Sequence, residues 1–333
     1  MEKQAVTIYD VAERAQVSLA TVSRVVNGNP NVKPATRKKV LDVIEELDYR
    51  PNAVARGLAS KKTTTVGVII PEINNPFFAG LADGINDIAA MYHYDILLTS
   101  PEEGANGDID AFNSLLMKQV DGIIIIGYTL SEAMQKELQN TRTPVVLAGT
   151  TLEGATQVAS VNIDHQSATK DAVNYLLKSA EKVALAVGPL TAYINGRRRL
   201  AGYKEALREN NVQYNEGLIF ESPYTLEAGK NLTDRLLNSG AQAVFVTDDL
   251  LATSILNTLT DLGVKVPEEF QVMSANNTIY TDICRPKLSS IQHPVYDIGA
   301  VSMRLLTKLM TGEEIEDRHI ILSYSLKPKG STK

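Results

Sequence analysis

The run from Thr7 to Asn27, TIYDVAERAQVSLATVSRVVN, constrains the fold more than any other stretch of this chain. Ile8, Val11, Ala12 and Ala15 recur at helical spacing, which predicts a short amphipathic helix with Thr7 as its N-cap. Val17-Ser18 closes a turn, and Ser18 suits the N-cap of a second helix because its hydroxyl can accept from the first-turn N–H groups. That helix turns Val22 and Val25, with Val26 beside them, against the first. Its other face carries Leu19, Ala20, Thr21, Ser23 and Arg24. Short side chains with one arginine suit an element pressed into a duplex major groove about 12 Å wide. Asn27-Gly28-Asn29-Pro30 breaks the helix. A third helix is expected from Pro34 to about Leu47, with Val40, Ile44 and Leu47 inward. Arg37, Lys38 and Lys39 stand near its start, where cations oppose the helix dipole. A phosphate partner accounts for them better than helix stability does.

The charge distribution is uneven. The whole chain has a net charge of −6, but residues 1–62 carry 11 Lys+Arg against 7 Asp+Glu, a net of +4. The other 271 carry 22 against 32, a net of −10. A basic segment on an acidic body is the footprint of local phosphate binding.

The same run resembles the headpiece of the lactose/galactose repressor (LacI/GalR) family, whose pattern T-I-x-D-V-A-x-x-A-x-V-S-x-x-T-V-S-R-V-x-N it follows nearly throughout. It departs at Gln16, where the family usually has glycine in the turn. The resemblance implies a sequence-specific, DNA-binding transcriptional regulator. Leu19, Ala20 and Arg24 would face base edges, while Ser18, Thr21, Ser23 and Asn27 would mostly hold phosphates. Thr7, Asn31 and Tyr49 join this expected DNA-binding set. Residues 50–60, RPNAVARGLAS, are too short and glycine-containing to hold a helix alone in water. In the family this stretch is a hinge that becomes helical when two subunits meet on DNA, which implies a homodimer and a pseudo-palindromic double-stranded operator. Asn52, Ala55, Arg56 and Leu58 would then touch DNA. Leu58 either wedges between base steps in the minor groove or packs on the body.

Beyond residue 63 the pattern changes to strands alternating with helices. Short β-branched runs recur at 65–70, 96–99, 122–126, 145–148, 183–187, 218–221, 243–247 and 270–274. Helical stretches such as 77–92, 167–177, 199–210, 228–237 and 250–262 separate most of them. Continuous apolar strands with helical crossovers predict an α/β body of parallel sheets covered by helices on both faces. The pattern restarts near residue 162, so two similar subdomains with a cleft between them are expected, resembling periplasmic sugar-binding proteins. The predicted domains are a helix-turn-helix headpiece over 1–48 and a hinge helix or linker over 49–62. One body subdomain would comprise 63–161 with 292–320, the other 162–291 with 321–333.

Ligands of such folds sit at the carboxyl ends of strands. Arg199, in an R-x-x-G helix start, resembles the family's arginine that reaches sugar hydroxyls, although a cleft salt bridge would use it equally. Asp248 matches a common effector-contacting position. Sugar-responsive relatives usually have G-F-D where this chain has Ser274-Ala275-Asn276, so Asn276 brings no carboxylate and a strong sugar site is not expected. The Asp248-Asp249 pair on a strand-to-helix turn suits capping better than acid–base work. A sugar or nucleobase effector in this cleft stays as the alternative to protein control.

No nucleophile elbow, phosphate-binding loop, dinucleotide fingerprint or zinc-protease motif occurs, and the four histidines and the single cysteine lack metal-ligand spacing. An enzyme, a metal site and a cofactor are therefore not expected. No apolar stretch of secretory length follows Met1, and apolar runs such as 123–126 are too short to cross a bilayer. A cytoplasmic protein without a membrane partner is expected, which also suits an unpaired cysteine.

Near the C-terminus, Arg304 and Lys308 stand one turn apart on a predicted helix, a spacing that fits either a phosphate clamp or a solvated face. On that helix Leu305, Leu306 and Leu309 are the expected core, and Ala300, Met303, Thr307 and Met310 share another face. Residues 294–310, together with 29–37 and 49–65, resemble the branch of the family that controls carbon catabolism in low-GC Gram-positive bacteria. That resemblance implies a protein corepressor, the phosphocarrier HPr phosphorylated on a serine. It would dock on Glu72, Tyr92, Asp297, Val301, Arg304 and Lys308, with Arg304 and Lys308 nearest the phosphate. Whether a sugar phosphate also tunes the response stays open.

Overall fold

The computed structural model describes residues 6–50, 62–102, 104, 106–127, 129–152, 157–190 and 194–333. The chain divides into two compact units, residues 1–63 and 64–333.

Among its described residues the first unit is three helices, α1 Ile8–Ala15, α2 Leu19–Val26 and α3 Pro34–Glu46, around Val11, Ala15, Val22, Val25, Val40, Val43 and Tyr49. Ile44 and Leu47 pack at the edge of this core, and Val43 takes the inward position beside Val40. Both capping predictions have physical counterparts. The Thr7 N–H and hydroxyl each donate to Asp10 Oδ2 at 2.7 Å, closing the start of α1. Ser18 Oγ accepts from the Thr21 N–H at 3.2 Å and starts α2. Gln16, between them, is left-handed at φ 51°, ψ 46°, and its N–H bonds back to the end of α1.

The second unit holds two six-stranded sheets. In chain order its strands are β1 Thr65–Ile69, β2 Asp95–Thr99, β3 Gly122–Ile126, β4 Val145–Ala148, β5 Ala159–Ile163, β6 Val183–Val187, β7 Ile219–Glu221, β8 Ala243–Val246, β9 Gln271–Ser274, β10 Ser289–Gln292, β11 His319–Leu322 and β12 Ser325–Lys327. Its helices are α4 Pro76–Met91, α5 Gly107–Met117, α6 Glu132–Asn140, α7 His165–Leu177, α8 Ile194–Glu209, α9 Leu226–Asn238, α10 Asp249–Asp261, α11 Tyr280–Ile283 and α12 Val295–Thr311. The first sheet runs β11-β5-β4-β3-β1-β2 and the second β12-β10-β9-β8-β6-β7. Among the described residues all pairings are parallel except that of the short edge strand β12 with β10, in keeping with the expected parallel sheets.

The chain passes between the sheets after β5, after β10 and after β11. β5 and β11 carry membership of the first sheet to residues 163 and 322, two residues past the breaks predicted at 161 and 320. α12 returns to the first sheet and packs on α4, β3, β4 and β5. Glycines let α4 and α12 touch along their backbones. A Cβ on Gly84 would stand 2.1 Å from the Tyr296 carbonyl oxygen, and one on Gly299 2.0 Å from the Leu81 carbonyl oxygen. Ala300, Met303 and Thr307 are buried with Leu305 and Leu306, which makes the predicted second face of this helix part of the core. Its solvent side is Tyr296, Asp297, Arg304 and Lys308.

Candidate DNA interface and effector surfaces

On the headpiece, burial of Val22 and Val25 turns the opposite side of α2 outward. Ser18, Leu19, Ala20, Arg24 and Asn27 are exposed, and Thr21 and Ser23 are half-buried. The hydroxyls of Ser18 and Thr21 lie 2.9 Å apart, and Asn27 Nδ2 donates to Ser23 Oγ at 3.4 Å. One helix face thus offers an apolar residue, a guanidinium and a row of hydroxyl and amide groups. Thr7 and Asn31 are exposed as well, and Asn31 N–H is anchored on Asn29 Oδ1 at 3.0 Å. Tyr49 is 9% exposed and belongs to the headpiece core. Arg37 is half-buried and donates to the Asn29 carbonyl, so it supports the loop after α2. Lys38 and Lys39 remain exposed near the start of α3. The predicted hinge residues Asn52, Ala55, Arg56 and Leu58 lie outside the described residues.

In the body, Glu72, Tyr92, Asp297, Arg304 and Lys308 are exposed and Val301 is half-buried. Residues 297–308 of this set line the outer side of α12, and Tyr92 caps the end of α4, the helix packed on it. Sequence reasoning assigned no partner to Tyr296. Its hydroxyl donates to Asp87 Oδ2 at 2.9 Å, a link between α12 and α4 that no local pattern announces across 209 residues. That bond to a carboxylate holds the Tyr296 hydroxyl above its ordinary range, while nearby Arg304 pulls the other way.

Between the sheets, Phe77, His165, Asn195, Arg199, Thr247 and Asn276 line a cavity of about 20 Å³, and Glu72, Asn74, Asn75, Asp248, Asp249 and Asn276 line a second of about 70 Å³. Arg199 is buried and its Nη1 donates to the Thr247 carbonyl at 3.4 Å. Asp248 caps α10 by accepting from the Leu251 N–H at 3.0 Å, and burial pushes its carboxyl up to about 7. Asp249 accepts from the Asn276 N–H at 3.0 Å and from the Thr278 N–H and hydroxyl at 2.6 and 2.7 Å. Both carboxylates therefore organise strand-end loops, and Asn276 is held through its backbone. Among the described residues no group of His, Cys, Asp and Glu could hold a metal ion, and no helix is long and apolar enough to cross a membrane.

Comparison with known proteins extends this picture. Residues 7–52 match the model of bacterial regulatory proteins, lacI family, and residues 174–332 that of a periplasmic binding protein-like domain. Catabolite control protein A of Streptococcus mutans is 53% identical over 328 residues, 98% of each chain. The crystal structure of transcription regulator CcpA of Lactococcus lactis is 40% identical with a TM-score of 0.77, covering 81% of this chain and 99% of that one. The Lac repressor dimer bound to operator and the anti-inducer ONPF is 28% identical with a TM-score of 0.88, covering 99% of both chains.

Proposed function

The chain belongs to the lacI family of bacterial regulatory proteins and is a DNA-binding transcriptional regulator, not an enzyme, and from that premise we propose that it governs carbon catabolism with a phosphoprotein as corepressor. It binds a pseudo-palindromic operator as a homodimer in the cytoplasm, and serine-phosphorylated HPr raises that affinity. Leu19, Ala20 and Arg24 read base edges. Ser18, Thr21, Ser23 and Asn27, with Thr7 and Asn31, fix the register on phosphates. Tyr49 contributes by supporting the headpiece from its core, and Asn52, Ala55, Arg56 and Leu58 of the hinge enter the minor groove.

The observation that carries this reading is the outer side of α12. Arg304 and Lys308 are both exposed there, one turn apart, with an acid at Asp297 on the same helix, and an exposed aromatic, Tyr92, caps the helix packed against it. Two cations at this spacing fit a phosphate of nearly two negative charges, and an acidic neighbour disfavours partners that lack the matching charge pattern. Glu72 and Val301 complete the docking set. Asn276 brings no carboxylate to the cleft, which favours a protein effector over a sugar.

The test is operator binding by fluorescence anisotropy with full-length protein alone, with HPr, with serine-phosphorylated HPr, and with sugar phosphates. Phosphorylated HPr tightens binding, unphosphorylated HPr does not, and Arg304→Glu abolishes the gain. Equal affinity in all arms, or a gain that survives Arg304→Glu, overturns the assignment.

A further inference from the structure

Two of the three segments that cross between the sheets hold a histidine within two residues of the strand they leave, and the two rings meet. His165 follows β5 and opens α7, His293 follows β10, and their ring centroids are 5.4 Å apart. His293 also meets the Phe77 ring edge-on at 5.6 Å. Phe77 belongs to α4, which packs on the first sheet, whereas α7 packs on α8 and the second sheet. One stack of three rings therefore spans both subdomains at the strands about which they would turn. Across the same cleft, Asn195 Nδ2 of α8 donates to the Gly149 carbonyl that follows β4, at 2.9 Å.

Both histidines are buried, at 3% and 5% exposure. The charged groups facing them share their sign. Arg199 faces both, and Arg198 faces His165. Asp164 precedes His165, but its carboxylate accepts from the Ser167 hydroxyl and the N–H groups of Gln166 and Ser167. The His165 Nε2 lies 3.1 Å from Asn162 Oδ1, a neutral partner.

We propose that Phe77, His165 and His293 are positioning residues that hold the two subdomains closed only while both imidazoles are neutral, so that mild acidification opens the body. Burial beside Arg199 opposes protonation of either ring in the closed form, pushing His293 down to about 3 and His165 well below its ordinary 6.5. Opening returns each ring toward that ordinary value. The closed form therefore holds its full advantage above pH 6.5 and loses it as pH falls toward the lowered values. Each histidine released shifts the closed-to-open ratio by about tenfold per pH unit in that window. Asp248 works in the opposite sense, because a raised carboxyl favours its protonated, buried state until pH passes about 7. Asp248→Asn removes that opposing contribution.

The inference concerns the body alone, so it is tested without DNA on full-length protein and stands or falls separately from operator binding. In a nuclear magnetic resonance titration, His165 and His293 are expected to titrate at least one pH unit below the ordinary 6.5. Small-angle X-ray scattering of the Asp248→Asn protein is expected to show expansion between pH 7.5 and 5.5. His293→Phe in that background keeps the ring and shifts the expansion to lower pH, and Asn195→Ala moves it to higher pH. Midpoints near 6.5 for His165 and His293 overturn the proposal. So does a scattering profile that neither His293→Phe nor Asn195→Ala changes.

Discussion

The Tyr296 hydroxyl donates to Asp87 Oδ2 at 2.9 Å, joining α12 to α4 on the surface where Arg304 and Lys308 stand. The bond forms because Gly84 and Gly299 let the two helices approach at backbone distance. Its consequence is electrostatic. With Asp87 engaged by a hydroxyl and Arg304 close enough to influence that hydroxyl, the guanidinium stays turned to solvent and available to a phosphate.

Tyr296→Phe releases the Asp87 carboxylate to compete for Arg304. The expected result is a two- to fivefold smaller gain in operator affinity from serine-phosphorylated HPr, about the strength of an exposed ion pair. Thermal unfolding changes little, since the lost bond lies at the surface and is worth about 1 kcal/mol or less. An unchanged gain in the anisotropy titration removes this role for Tyr296.

Gln16 holds a left-handed conformation, φ 51°, between α1 and α2. A side chain costs about 1–2 kcal/mol there, while glycine adopts the same geometry without a Cβ clash and loses about 0.5–1 kcal/mol in chain entropy. Gln16→Gly is therefore expected to stabilise the headpiece by up to about 1 kcal/mol, read as slower amide hydrogen exchange in α1–α3. Exchange that speeds up contradicts the strain argument.

Arg24 is exposed on the outer face of α2, where Ser18 starts the helix with its own hydroxyl. Arg24→Ala should weaken operator binding by about 1–3 kcal/mol and narrow the ratio of operator to random-sequence affinity. Ser18→Ala should weaken both sequences alike and cost about 1 kcal/mol of headpiece stability through the lost cap. Equal losses on the two sequences for Arg24→Ala place it on phosphates and not on bases.

Asp248 is buried at the start of α10 with its carboxyl raised to about 7 from an ordinary value near 3.8. A raised acid stabilises the fold fully below its unfolded value and loses that contribution as pH rises through about 7. Wild-type stability should therefore fall between pH 4 and 8 by more than that of Asp248→Asn, which keeps a good N-cap and carries no charge. Urea unfolding at pH 5 and pH 8 measures the difference. An equal decline in the two proteins rules out Asp248 as its source.

Much of the architecture was legible along the chain. The 7–27 run specifies its helices because caps, apolar spacing and breakers are local signals, and each one acts within a turn of itself. The body's α/β class was equally local, since buried parallel strands are continuous apolar runs such as 122–126. Weaker signals fell on β5, β10 and β11, after which the chain leaves a sheet, and on the edge strand β12. Ser160, Asn162, Ser289 and Ser290 are buried there, so hydrophobicity does not mark the strands that crossing and edge geometry create.

The sequence alone thus determined the headpiece, the class of the body and the exposed pair Arg304 and Lys308, because those depend on spacing along one helix or strand. Only the tertiary structure decided that Tyr49 and Arg37 support the headpiece from within, and that Asp248 and Asp249 serve loops. It likewise decided that Tyr296 meets Asp87, and that Phe77, His165 and His293 share one stack. These contacts join residues up to 216 positions apart, and whether a polar side chain is buried or presented depends on neighbours that chain order does not bring near.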